Sequence, residues 1–140
     1  MSAARSDLAE PGDHVTVLVV DDQPPFRDAA RSVVDRLKGF EVVAEADSGE
    51  AAIELVAALQ PQLVLMDINM GGIDGIEAAT AITARFPKTM VVLLSTYDLR
   101  DLPPTARTSG ASAYVNKDDF GGRLLRQLWD NAGDPGFRTI

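Results

Sequence analysis

The sequence predicts an α/β fold: an open, doubly wound five-stranded parallel sheet with helices on both faces. Five short apolar, β-branched segments alternate with segments whose apolar residues recur at helical spacing. Three of the apolar segments, VTVLVV, LVLMDI and MVVLLST, are nearly continuous, which is typical of strands that helices cover on both faces. A length of 140 residues fits one such domain.

The predicted strands are the five short apolar segments. Because a helical segment separates each strand from the next, parallel pairing is expected. The strands are predicted over Val15–Val20, Phe40–Ala46, Leu63–Ile68, Met90–Thr96 and Ala113–Asn116.

Four of the five helical segments have recognisable ends. Gly39 suits the C-terminal cap of the first helix, and Ser48 is a favourable N-cap for the second. Pro61 and Pro87 prevent the second and third helices from continuing. These helices are predicted over Pro25–Lys38, Gly49–Leu59, Asp74–Phe86 and Asp118–Ala132.

The fourth helical segment, Leu102–Ser109, has a much weaker pattern. It contains Pro103 and Pro104 and few apolar side chains. Proline is compatible with the first turn of a helix, but little of this segment favours burial. We therefore predict a fourth helix that is short or poorly formed.

The composition excludes several kinds of site. The chain has no cysteine, one histidine and a formal net charge of −8. Disulfides, thiolate metal sites and multi-histidine metal sites are thereby excluded. The acidic balance argues against direct nucleic acid binding by this chain, since a phosphate backbone requires a basic surface. His14 borders the polar N-terminal segment and is predicted to be solvated.

The two ends of the chain are predicted to lie outside the domain. Residues 1–13 are polar and include Pro11 and Gly12, so a disordered N-terminal tail is expected. They hold no apolar segment of signal-peptide length, and no stretch approaches the roughly 20 apolar residues of a membrane helix. A cytoplasmic protein without membrane contact is therefore expected. The domain is expected over residues 14–132, with a C-terminal tail over 133–140.

Polar residues follow four of the predicted strands and converge at one edge of the sheet. Asp21 and Asp22 follow the first strand, and Asp67 lies at the end of the third. Ser95 ends the fourth strand and Lys117 follows the fifth. Ligands of open α/β sheets bind at this edge. Each residue alone has an ordinary structural role, in a turn, a cap or on the surface, but the fold directs all five into one small volume.

Three clustered carboxylates repel one another, by about 4 kcal/mol for a pair 4 Å apart at an effective dielectric of 20. Such a cluster must hold protons, bind a cation or pair with Lys117. Oxygen ligands alone favour Mg²⁺, Mn²⁺ or Ca²⁺, and Mg²⁺ fits best because it takes one or two carboxylates together with a phosphoryl oxygen. A carboxylate in this setting can also act as a covalent nucleophile.

Four segments carry a resemblance to a known family: VLVVDDQP, LVLMDINMGGIDGIEA, VVLLSTYD and GASAYVNKDD. In this order, and at the strand ends, they closely resemble the receiver domain of bacterial two-component response regulators. The resemblance covers roughly residues 15–132. It implies a flavodoxin-like sheet with strand order 2-1-3-4-5 and identifies residues 14–132 as a receiver domain.

The resemblance also implies a Mg²⁺-dependent phosphoryl acceptor. Asp67 would accept the group from a phosphohistidine on a sensor histidine kinase or phosphotransfer protein. Asp22, Asp67 and the main-chain carbonyl of Asn69 would hold Mg²⁺, and Asp21 would contribute through a metal-bound water. Lys117 would pair with a phosphoryl oxygen.

Two further residues would carry the switch in such a domain. Ser95 would bond a phosphoryl oxygen, and Tyr114 would rotate inward as Ser95 moves. Without the family resemblance, Tyr114 would be interpreted as an ordinary buried tyrosine of the core. The implied function is two-component phosphorelay signalling through an unknown output protein, by a monomer or a phosphorylation-dependent dimer. It is a regulatory and not an enzymatic function, with slow self-dephosphorylation. The alternative is a receiver domain cut from a longer helix-turn-helix transcriptional regulator.

The sequence departs from the family pattern at three places besides the fourth helix. Gly71 and Gly72 follow Met70 where a proline is usual, which predicts a more flexible acceptor loop. Asp118 follows Lys117 where many members have proline. Asn116 replaces a common apolar residue, and its amide needs hydrogen-bond partners if it is buried.

Three other functions compete with phosphoryl uptake. A phosphohydrolase with an aspartyl nucleophile would need Asp-x-Asp, whereas Asp67 is followed by Ile68 and Asn69. A flavodoxin-like cofactor site would need a phosphate-cradling loop after the first strand, where two aspartates would instead repel phosphate. A degenerate receiver would lack part of the set of site residues, which is intact here.

Overall fold

The computed structural model describes residues 14–132 and 136–139, and within them forms a six-stranded parallel sheet. The order is β2-β1-β3-β4-β5-β6, which confirms the predicted order and adds one strand at the edge. The tail predicted over residues 1–13 lies outside the described residues. The strands are β1 Val15–Val20, β2 Phe40–Ala46, β3 Leu63–Asp67, β4 Met90–Ser95, β5 Ala113–Asn116 and β6 Arg138–Thr139.

Four α-helices connect the strands within the described part of the chain. The third begins with a capping box, in which Asp74 accepts from the Glu77 amide and the Glu77 side chain accepts from the Asp74 amide. The last predicted helix begins later than expected, because its start is a short 3₁₀ turn followed by Gly121 and Gly122. The helices are α1 Pro24–Asp35, α2 Gly49–Leu59, α3 Gly75–Arg85 and α4 Gly122–Asp130.

The core lies on both faces of the sheet. On one face, side chains such as Leu18 and Met66 pack against α2 and α3. On the other, Val19 and Leu65 pack against α1 and α4. All five residues of β3 are buried, as its continuous apolar sequence predicts. Because helices pack on both faces of the sheet, the ends of its strands are held in fixed positions.

The fourth predicted helix is replaced by two 3₁₀ segments, Leu99–Asp101 and Pro104–Thr108. Only Ala106 in these segments is buried. The lack of an apolar face explains why no α-helix forms, because little packing would offset the cost of ordering the segment. The prediction of a short or poorly formed helix is confirmed.

The sixth strand lies within the region predicted as a C-terminal tail. Arg138 pairs with Ala113 and Thr139 with Tyr114, both in parallel. Phe137 packs against the core on the α2–α3 face, where the guanidinium of Arg107 lies 5.6 Å from its ring centroid. The tail prediction therefore missed a strand at 138–139, while residues 133–135 and 140 lie outside the described part.

His14 directly precedes β1, and its half-exposed side chain places Nε2 2.6 Å from Oε1 of Glu41 on the edge strand β2. That is consistent with the solvated role predicted for it. Among residues 14–132 and 136–139, the helices are too short or too polar to cross a bilayer.

Candidate functional site

Three carboxylates meet where β1 and β3 end. Asp21, Asp22 and Asp67 each offer an oxygen, and these oxygens all lie within 4.8 Å of one another. Asp21 and Asp67 are buried, with 0% and 3% of their surface exposed, whereas Asp22 is exposed. The three acids that the sequence predicted to converge are therefore brought together, with one side open to solvent.

Lys117 supplies the positive charge at this cluster. Its Nζ lies 2.7 Å from Asp21 Oδ2 and 3.3 Å from Asp67 Oδ1, and its side chain is 15% exposed. Asp21 Oδ1 accepts a hydrogen bond from the Gln23 amide at 2.9 Å. Asp21 Oδ2 is buried and has the ion pair but no hydrogen bond. A buried carboxylate oxygen in that state has unused capacity to accept from a metal-bound water.

The crowding of negative charge in the cluster changes the pKa of Asp67. Burial, and then the negative charge of Asp21, raise the pKa of Asp67 to about 6 from its ordinary 3.8. Lys117 and a backbone hydrogen bond from Asn69 oppose this shift without cancelling it. The cluster is thus short of positive charge even with Lys117 in place. An oxygen-only, electron-rich set of this kind fits a hard divalent cation.

Asn69 links the end of β3 to the neighbouring strand. Its side-chain Nδ2 donates to Ser95 Oγ at 3.3 Å, and its Oδ1 accepts from the Tyr97 hydroxyl at 2.9 Å. The Tyr97 amide in turn donates to Ser95 Oγ at 3.3 Å. Ser95 is therefore held by groups on both sides of the cleft between β3 and β4. The metal-binding role of the Asn69 carbonyl stays a prediction.

Tyr114 is buried, with 1% of its surface exposed. Its hydroxyl lies 2.8 Å from the carbonyl oxygen of Tyr97 and 3.2 Å from that of Ser95, to which it can donate. Burial raises the pKa of the Tyr114 phenol above its ordinary value, so the group stays a donor. Asn116 Nδ2 donates to the same Tyr97 carbonyl at 3.2 Å, and Asn116 Oδ1 accepts from the Asp118 amide at 2.9 Å. The amide of Asn116 thereby finds the partners that its position requires.

The loop after β3 is anchored at its far end. Gly72 has a φ of +78°, in the region that favours glycine. The Ile73 amide donates to the Glu50 carboxylate at 3.4 Å, which ties the loop to α2. A Cβ on Gly75 would lie 2.0 Å from the carbonyl oxygen of Asp67. The end of β3 and the start of α3 are therefore in direct backbone contact.

Two residues at the site were missed by the sequence analysis. Arg27 Nη1 donates to the carbonyl oxygen of Asp21 at 2.6 Å. Phe26 fits the apolar face of its helix by spacing, yet its ring centroid lies 4.5 Å from Lys117 Nζ. Their position in the sequence could have indicated both residues, because Phe26 and Arg27 follow the Asp21–Asp22 pair by about one turn of helix.

Sequence comparison places the chain among known regulators. The family model described as response regulator receiver domain matches residues 17–128. The transcriptional regulatory protein DegU of Brevibacillus brevis is 35% identical over 104 residues, which are 74% of this chain and 44% of that protein. The nitrate/nitrite response regulator protein NarL of Escherichia coli K12 is 33% identical over 81% of this chain and 52% of its own length. The chain thus spans about half the length of these relatives.

Solved structures give the same result. The signal receiver domain of NarL from Mycobacterium tuberculosis superposes with a TM-score of 0.79 at 32% identity, covering 88% of this chain and 99% of that one. A two-component response regulator of the LuxR family from Aurantimonas sp. SI85-9A1 gives a TM-score of 0.78 at 29% identity, over 91% of this chain and 89% of that one. The similarity therefore extends over nearly all of the described fold.

Proposed function

The chain belongs to the family of response regulator receiver domains, and on that basis we propose that Asp67 accepts a phosphoryl group in a Mg²⁺-dependent reaction. The donor is a phosphohistidine on a sensor histidine kinase or phosphotransfer protein. The observation that carries this proposal is the buried Asp67 carboxylate, which lies beside Lys117 and Asp21 and has a pKa of about 6. Such a carboxylate is short of positive charge, and a phosphoryl group with its metal ion supplies a partner for it.

Asp22, Asp67 and the Asn69 carbonyl would hold Mg²⁺, with Asp21 acting through a water molecule. When bound, Mg²⁺ neutralises negative charge on the cluster and on the transferred group. An Asp67 oxygen forms a bond to phosphorus while the bond from phosphorus to the donor nitrogen breaks. The Lys117 ammonium, 3.3 Å from Asp67 Oδ1, then pairs with a phosphoryl oxygen.

Phosphorylation would be transmitted through Ser95. Its Oγ now accepts from Asn69 and from the Tyr97 amide, and a phosphoryl oxygen offers the hydroxyl a strong new acceptor. Tyr97 shares hydrogen bonds with both Asn69 and Tyr114. Tyr114 is already buried in this structure, so movement of Ser95 would alter the contacts that hold it inward and would not drive the inward rotation that the resemblance implied.

The output is a change in protein–protein interaction, with an output protein that the site does not identify. The second candidate is a receiver portion of a longer DNA-binding regulator, and it is favoured by the half-length match to DegU and NarL. In either case the chain acts as a cytoplasmic regulatory domain that hydrolyses its own phosphoryl group slowly. It is a monomer or a phosphorylation-dependent dimer and does not itself bind nucleic acid.

The proposal is tested by incubation with acetyl phosphate, a small acyl phosphate donor, followed by intact mass measurement. We expect one phosphoryl adduct in millimolar Mg²⁺ and none when a chelator removes the metal. An adduct of equal yield in both conditions would contradict the metal site. The absence of an adduct in Mg²⁺ would contradict the acceptor function.

Mg²⁺ should also stabilise the fold in a pH-dependent manner. Because the folded pKa of Asp67 is about 6 and its ordinary value is 3.8, the contribution of Asp67 to stability is fully present below pH 3.8. It is lost as pH rises through about 6. A cation that takes the place of the proton restores this contribution to stability. We therefore expect Mg²⁺ to raise the melting temperature by a few degrees at about pH 7.5 and by less at about pH 5. Thermal unfolding followed by circular dichroism, in Mg²⁺ and in chelator, measures the two shifts in melting temperature. Equal shifts at the two pH values would contradict it.

A further inference from the structure

Lys117 has a third neighbour besides the two carboxylates. Its Nζ lies 4.5 Å from the ring centroid of Phe26 in α1, within the range of a cation–π interaction. Lys117 Nζ is therefore enclosed by Asp21, Asp67 and one aromatic face. Only 15% of the Lys117 side chain remains exposed, so this contact is largely shielded from water.

The ring of Phe26 is itself held in place. The Phe120 ring packs against it at a centroid distance of 6.2 Å and an interplanar angle of 51°. Phe120 directly follows the 3₁₀ turn that begins at Lys117. The aromatic pair thus connects α1 to the segment that carries the lysine, and both rings pack against the core on the α1–α4 face.

A lysine at this position needs a contact of this kind. Its four-carbon stem is flexible, and holding the ammonium in one place costs side-chain entropy. Another carboxylate in the place of the ring could hold the ammonium, but it would add negative charge to a cluster that already contains three carboxylates. An aromatic face attracts the cation without adding net charge and without directional hydrogen bonds. The ammonium can therefore shift from a carboxylate oxygen to a phosphoryl oxygen while staying over the ring.

We propose that Phe26 is a positioning residue for phosphoryl uptake, which holds the Lys117 ammonium at the acceptor through the face of its ring. The inference rests on the proposed function and assigns Phe26 a part in it. The competing interpretation is that Phe26 only fills the core beneath α1. The two differ in whether the effect of Phe26 depends on the charge of Lys117.

The first test compares rates of phosphorylation by acetyl phosphate at saturating Mg²⁺. Phe26→Leu keeps an apolar side chain and removes the ring, and we expect the maximal rate to fall about fivefold, which corresponds to roughly 1 kcal/mol. Phe26→Tyr should restore most of the rate. Mg²⁺ affinity should stay within about twofold of wild type, since the proposed role of the ring acts on Lys117, which is not a proposed metal ligand.

Phe40→Leu is the matched control. Phe40 is an aromatic residue on the same α1–α4 face, where it is buried and Phe26 is partly buried, and the Arg126 guanidinium lies 5.0 Å from its ring centroid. It lies at the opposite end of the sheet from the acidic cluster. The loss of stability should resemble that of Phe26→Leu, without loss of rate. An equal loss of rate in both variants would assign the effect to general destabilisation and overturn the proposal.

A double-mutant cycle separates the two interpretations directly. In a Lys117→Met background, which lacks the cation, Phe26→Leu should lower the residual rate no further. A full fivefold loss in that background would show that Phe26 acts independently of the lysine. Should Phe26→Leu fold poorly, Phe26→Met replaces it, because its volume is similar to that of leucine and its unbranched side chain adapts more easily to the space left by the ring.

Nuclear magnetic resonance supplies a readout that does not require phosphorylation. The Lys117 side-chain protons should be shifted upfield by the Phe26 ring and return toward ordinary values in Phe26→Leu. If wild type takes no phosphoryl group, the proposed function fails, and the positioning role fails with it. If wild type is phosphorylated and Phe26→Leu matches its rate, only the positioning role is overturned.

Discussion

Asp67→Asn should abolish the phosphoryl adduct entirely and at the same time stabilise the metal-free protein at neutral pH. The amide cannot act as the nucleophile, so the loss of uptake is complete and not partial. The amide also resembles the protonated acid, which the site favours because the pKa of Asp67 is raised to about 6. Relief of the buried charge should increase the free energy of unfolding by up to about 3 kcal/mol above pH 7.

Both effects are measurable with one pair of proteins. Intact mass after acetyl phosphate treatment reports uptake, and urea unfolding in chelator reports stability. Asp47→Asn serves as the control, because Asp47 is exposed and follows β2 outside the acidic cluster. We expect it to be phosphorylated like wild type. An adduct that survives Asp67→Asn would assign the acceptor to another residue. Lower stability of that variant at pH 7 would show that the fold stabilises the Asp67 anion and does not raise its pKa.

Gly75→Ala should destabilise the protein by roughly 3 kcal/mol or more and impair phosphorylation of the folded fraction. The new Cβ would lie 2.0 Å from the carbonyl oxygen of Asp67 and 2.8 Å from its carbonyl carbon. It would also lie 2.9 Å from the Cα of Ile68. These are backbone atoms at the end of a fully buried strand, so α3 or the acceptor itself must move.

The same loop provides the control for this change. A Cβ added to Gly71 would meet no heavy atom within 4 Å beyond its chain neighbours, and Gly71 has no positive φ. Gly71→Ala should therefore change stability by less than about 0.5 kcal/mol. Urea unfolding of the two variants measures the difference, and acetyl phosphate labelling measures uptake. Equal stability of Gly75→Ala and Gly71→Ala would contradict the close approach of α3 to β3.

The strands and most helices followed from local sequence. The bounds of β1 and β2 were predicted to the residue, and those of β3 and β4 within one residue, because polar residues or glycine flank each of these segments in the sequence. The few apolar side chains of Leu102–Ser109 predicted the loss of a regular helix, since a short helix without an apolar face to bury is not stable. In contrast, β6 has only two residues, and no local pattern marks it. Its hydrogen bonds exist only because the edge of β5 is free to accept them.

The site divides in the same way. The sequence alone determined which chemical groups meet, because parallel strands bring Asp21, Asp67 and Lys117 to one edge wherever the helices lie. Only the tertiary structure decided how they interact: that Asp67 is buried enough for its pKa to reach about 6, and that a ring of α1 faces the lysine. The reason is physical. Strand order and residue spacing place backbone positions, whereas desolvation and side-chain contacts depend on packing between elements that are far apart in the chain.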